Sequence, residues 1–124
     1  MRGLTPLAIV IADDNAERFR TALVMASSHV ALGGMAKFFF QGAAVGLLRK
    51  PLADPDDERQ TAAGLPTLAQ LFNGAVDLGI RFSACQSSLP LLGLTAEMFD
   101  PRIGWTGMIG FLSTVEPGDQ LIVI

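Results

Sequence analysis

The chain has 124 residues, which fits one domain large enough to bury a real core without staples. Half of it is apolar and 17% is charged, against about 25% charged in ordinary soluble domains, so the apolar surface should exceed one small core and be buried between copies of the chain. A formal charge of −3 with nine scattered Lys and Arg leaves no basic stripe for nucleic acid, and the lone Cys85 excludes an intramolecular disulfide.

Leu7 to Ala12 is a continuous apolar run closed by Asp13-Asp14-Asn15, as expected of a strand buried on both faces. Asp13, Asp14 or Asn15 can cap a helix carrying Phe19, Ala22, Leu23 and Ala26, which Gly33-Gly34 ends. Ala36 to Phe40 reads as the second strand, and Ala43 to Leu48 as a short helix or part of a site loop. From Arg49 to Gly64 come Pro51, Pro55 and the acids Asp54, Asp56, Asp57 and Glu58, with no apolar periodicity. This predicts a solvated, mobile loop able to cover a site or a subunit edge.

Pro66-Thr67 opens a helix with Leu68, Leu71, Phe72 and Ala75 on one face, and Ile80 to Ala84 forms the third strand, leading into Cys85. Leu89 to Leu94 is a helical turn broken by Gly93, and Thr95 caps another turn stopped by Asp100-Pro101. Ile103 to Val115 carries Gly104, Gly107 and Gly110 every third residue, which predicts a helix with a bare face. The apolar Leu121 to Ile124 closes the chain as a buried strand. Strand and helix alternate throughout, so the expected fold class is α/β: a single domain over residues 1–124, with a mainly parallel sheet of four or five strands inside three α/β/α layers.

Thr21 to Leu48 carries only Lys37 as a firm charge, but Ser27-Ser28-His29, Gly33-Gly34 and Gln41-Gly42 interrupt it. A spanning helix needs about 20 apolar residues, so no membrane insertion is expected. Met1-Arg2-Gly3-Leu4 shows no leader pattern, which with the single cysteine suggests a cytoplasmic protein. His29 is the only histidine, which rules out a histidine metal cluster in one chain, and no phosphate loop is present; neither a metal nor a cofactor is expected. The acids after the first strand invite a phosphoacceptor receiver reading. It fails because no aspartate follows a later strand and the only Lys-Pro pair, Lys50-Pro51, comes too early.

Ligands of open α/β sheets bind past the carboxyl ends of strands, and Asp13, Gln41 and Cys85 all lie there, as candidates for one shared site. A strand ending near Ala84 and a helix starting around Gln86 to Ser88 would aim backbone N–H groups at the sulfur and favour the thiolate. Gln86, Ser87 and Ser88 are the candidate donors. A free cysteine packed simply as a small apolar side chain is the competing reading.

Ala36-Lys37-Phe38-Phe39-Phe40 after an Ala- and Gly-rich helix end, Ile80 to Ser88 with Leu92-Gly93-Leu94, and Ile103-Gly104-Trp105-Thr106-Gly107-Met108 together resemble the DsrE/DsrF-like family of small sulfur-relay-related proteins, often labelled predicted peroxiredoxins. The resemblance implies a layered α/β/α sheet and homo- or hetero-trimers or hexamers. It also implies sulfurtransferase-like activity, in which Cys85 carries a persulfide between a sulfur donor protein and an acceptor protein. With no second cysteine, an intramolecular resolving thiol is excluded, so the partner thiol must belong to another molecule. Two other readings stay open: a non-catalytic assembly subunit with a structural Cys85, and a binding protein for a nucleotide or other small anion.

Overall fold

The computed structural model describes residues 4–124; Met1 to Gly3, part of the stretch read above for a leader, lie outside them. Five strands, β1 (Leu7–Ile11), β2 (Ala36–Phe40), β3 (Arg81–Cys85), β4 (Gly104–Thr106) and β5 (Gln120–Val123), pair in parallel in the order β4-β3-β2-β1-β5. The helices are α1 (Ala16–Ala31), α2 (Asp57–Ala62), α3 (Leu68–Asp77), α4 (Ser88–Leu92) and α5 (Met108–Leu112), with 3₁₀ turns at Gly42–Leu48 and Ala96–Met98. Asn15 caps α1 by accepting from the Arg18 N–H, and Thr67 and Gln70 form a capping box on α3.

The alternation of side chains along the strands sorts the core into two unequal halves. On one face Leu7, Ile9, Ile11, Phe38, Phe40, Phe82 and Ala84 meet Phe19, Ala22, Leu23 and Ala26 of α1 and Leu68, Phe72 and Ala75 of α3. Phe38 stacks on Phe82 with ring centres 4.8 Å apart, and Phe19 meets Phe40 edge to face at 5.1 Å. The opposite face has only a small buried cluster of Ala8, Val10, Phe39, Cys85 and Phe111, the last of these from α5. The three-layer architecture is therefore present, with one thick layer and one thin one.

Three segments depart from expectation. Gly104–Thr106 is a strand, because Ser83, Ala84 and Cys85 take Gly104, Trp105 and Thr106 as register partners, so the glycine series does not form one helical face. The acidic stretch 49–64 is not a bare solvated loop. It holds α2 and is tied to α1 by Arg20, whose guanidinium meets Asp57 at 2.6 Å, Asp54 at 3.2 Å and the Pro66 carbonyl at 2.7 Å. The last strand is apolar but lies at the sheet edge, with Leu121 and Val123 exposed. Among the described residues, no helix is long and apolar enough to cross a membrane.

Candidate functional site

Cys85 ends β3 and packs on the thin side of the sheet, 5% exposed. The chain turns at Gln86-Ser87 and enters α4 at Ser88, so the sulfur does stand at a strand-to-helix junction. With five residues, α4 contributes little dipole, and Ser87 does not cap it through its side chain. Its hydroxyl lies 3.0 Å from the Cys85 sulfur instead.

Burial alone would push the Cys85 thiol up. The Ser87 and Ser88 hydroxyls and the backbone N–H groups of the same two residues outweigh it and hold the thiol below its ordinary value. Ser88 is 3% exposed, and its hydroxyl also accepts from the Gly42 N–H at 3.0 Å. That bond ties the sulfur-bearing turn to the end of β2, so the donors are held in place. Gln86 does not join them: its N–H donates to the Thr106 carbonyl at 3.0 Å, continuing the β3–β4 ladder, and its side chain is exposed.

Gln41 follows β2 in extended conformation, with its N–H bonded to the Ile11 carbonyl. Since Phe40 and Ala84 are register partners, Gln41 stands one step on, beside Cys85, and alternation directs it to the same face as Phe39. Its Oε1 is buried with no hydrogen-bond partner among the described residues. The sheet brings these two candidates together. Asp13 is not brought with them: it is exposed, past β1, two strand spacings or about 10 Å away in the sheet plane. The strand order reverses between β1 and β5, so the crevice expected of such sheets lies beside Asp13 rather than Cys85.

His29, Arg81 and Trp105 lie away from the sulfur. His29 bonds the Thr5 carbonyl through Nε2 at 2.9 Å, near the amino end of β1, and Arg81 opens β3 at the end opposite to Cys85. Trp105 packs edge to face on Phe99, against the thick core rather than the sulfur. No group of three or more His, Cys, Asp or Glu side chains among the described residues is arranged to hold a metal ion.

The same architecture occurs in other solved proteins. A protein of unknown function from Methanobacterium thermoautotrophicum, MTH1491, superposes with a TM-score of 0.73 at 14% identity, over 98% of this chain and 100% of that one. The ychN protein of E. coli superposes at 0.77 with 10% identity, over 98% and 100% of the two chains, and BT1422 of Bacteroides thetaiotaomicron, also of unknown function, at 0.70 with 19% identity, over 97% and 95%. No curated protein sequence matches the chain. At these identities the likeness is one of fold. The sequence itself matches a family model from the first residue of β1 to the last of the chain, residues 7–124, and so the chain belongs to the DsrE/DsrF-like family.

Proposed function

We propose that the protein is a sulfur carrier that accepts sulfane sulfur on Cys85 and hands it to a thiol of another protein. The observation that carries this reading is the pair of serine hydroxyls and backbone N–H groups at the sulfur, which lower the thiol's proton affinity against the pull of burial. In the accepting step the Cys85 thiolate attacks the outer sulfur of a donor persulfide R–S–SH. The new S–S bond forms as the donor's own breaks, and R–S⁻ leaves with the electron pair, so nothing is oxidised or reduced overall. The donors that favour the thiolate also favour the persulfide anion, and the buried Gln41 Oε1 is an acceptor on the same face for the protonated form.

Treatment of the protein with a low-molecular-weight persulfide donor should add about one sulfur atom to the intact mass, reversibly with reductant. Cys85→Ser should stay unlabelled. The Cys85 pKa, read from the pH dependence of alkylation, should rise in Ser87→Ala, because the thiolate loses the hydroxyl that favours it. No sulfur uptake by the wild type, or uptake that persists in Cys85→Ser, overturns the reading.

The assembly expected from composition has support on the thin side of the sheet. Leu121 and Val123 are register partners of Ala8 and Val10 and so share their face, and Ile109 and Leu112 of α5 are also exposed. We propose that a second copy covers this surface. Sedimentation should show an oligomer in the wild type and a lighter species when Ile109 and Val123 are both changed to Lys.

A further inference from the structure

On the thin side of the sheet, at the end away from Cys85, Lys37 of β2 and Arg81 of β3 are register partners and project from the same face. Like charges side by side on neighbouring strands, about 5 Å apart, repel and weaken the pairing they sit on. The chain as a whole is acidic, yet among the described residues neither cation has an ion-pair partner. Lys37 is aimed rather than loose: its ammonium donates to the Thr114 carbonyl and, at 2.8 Å, to the Thr114 hydroxyl, and it stands 5.7 Å from the centre of the Phe111 ring.

These two side chains line an open cavity of about 650 Å³ between β3, β4 and α5, within the size range of small-molecule sites. Phe111, Ser83 and Thr106 share its wall, and no carboxylate does. Arg102 also lines it, but its guanidinium is engaged with Asp100 and Asn73. Glu116 and Asp119 line the adjoining cavity that Lys37 and Arg81 also touch. The Asp119 carboxylate accepts from the Glu116 N–H within their own turn. Among the described residues, then, carboxylates stand near Lys37 and Arg81 only in that adjoining cavity, and none reaches either cation as an ion pair.

We infer that this groove binds a small organic anion, with a phosphate, sulfonate or carboxylate group between Lys37 and Arg81 and an apolar body against Phe111. An anion placed there would turn a repulsive pair into a bridged one, and charge-assisted hydrogen bonds to both cations would fix its orientation. The site is distinct from the sulfur: Arg81 and Cys85 are the two ends of β3, about 13 Å apart along the strand.

Phenyl phosphate is a suitable probe, followed by calorimetry and by amide shifts of the intact protein. Saturable binding with shifts at Lys37, Arg81 and Thr114 is expected, tighter than that of inorganic phosphate. Arg81→Gln should weaken it about tenfold or more, whereas Arg49→Gln, which removes a cation near the opposite end of the sheet, should leave it unchanged. Without ligand, Arg81→Gln should melt no lower than the wild type, since it relieves the cross-strand repulsion; this separates a lost contact from a damaged fold. The inference is overturned by an absence of saturable binding, by equal loss in both variants, or by inorganic phosphate binding as well as phenyl phosphate.

Discussion

Arg20→Ala should destabilise the protein by about 3 kcal/mol, as expected when one member of a buried ion-pair network is removed and the others stay behind. Arg20 projects from α1 with its side chain 9% exposed, and its partner Asp54 is 7% exposed. Both aspartates are tied into the backbone as well. Asp57 accepts from the N–H groups of Asp54 and Leu68, and Asp54 accepts from that of Asp56. Neither carboxylate can turn outward to water without breaking these bonds, so loss of the guanidinium leaves two negative charges facing each other. Arg20→Lys keeps the charge but cannot reach both carboxylates and the Pro66 carbonyl at once, and should cost roughly half as much.

The acid limb of stability reports the same network. Burial raises the Asp57 pKa, but the Asp54 and Leu68 N–H groups and the Arg20 guanidinium outweigh it, leaving the group below its ordinary 3.8. A depressed folded value means that the unfolded chain takes up the proton first. The stabilisation is therefore complete above the ordinary carboxylate range and is lost as pH falls through the lower, folded value. Urea denaturation of Arg20→Ala should show a lower midpoint at neutral pH and a shallower decline below about pH 4 than the wild type. Equal midpoints at neutral pH would show that the network contributes nothing net.

Much of this fold was legible because the strands announce themselves. Leu7 to Ile11 and Phe38-Phe39-Phe40 are wholly buried, and short apolar runs rich in β-branched and aromatic residues suit a parallel strand covered on both sides. Cys85 was legible for a different reason: it is the only cysteine, and it ends the strand Arg81–Cys85 just before the polar Gln86-Ser87-Ser88. What escaped depends on contacts between distant residues. Nothing local says that Arg20 reaches Asp54 and Asp57, so the segment that carries them reads as loop. Gly104-Trp105-Thr106 is a strand only because β3 offers it a free edge, and three residues are too short to show a period of two. The donor set at Cys85 was half legible. Ser87 and Ser88 could be named, but not the diversion of the Gln86 N–H to Thr106, which depends on where β4 lies.

Phe111→Ala should have the second large effect, and it couples stability to the sulfur. Phe111 is 4% exposed, comes from a helix of only five residues, and stacks on Phe39 with ring centres 5.1 Å apart. It is the sole large side chain that α5 adds to the buried cluster containing Cys85. Its loss should cost about 3 kcal/mol, the lower end for a buried phenylalanine, because a surface helix can partly collapse into the space. The local consequence is greater than the global one. Without Phe111, α5 keeps only the half-buried Met108 against this cluster, so opening of this layer should become frequent while the thick core, built on α1 and α3, holds. Alkylation of Cys85 by iodoacetamide under native conditions should accelerate several-fold in Phe111→Ala, whereas Phe72→Ala, a cavity on the opposite face with a similar cost in stability, should leave the rate near that of the wild type. In the proposed carrier role a sulfur that is 5% exposed must open to exchange with a partner, and α5 supplies Phe111 to the buried cluster that holds it. Equal acceleration in both variants would mean that the sulfur is reached by global unfolding; acceleration confined to Phe111→Ala would identify α5 as the layer that governs access to Cys85.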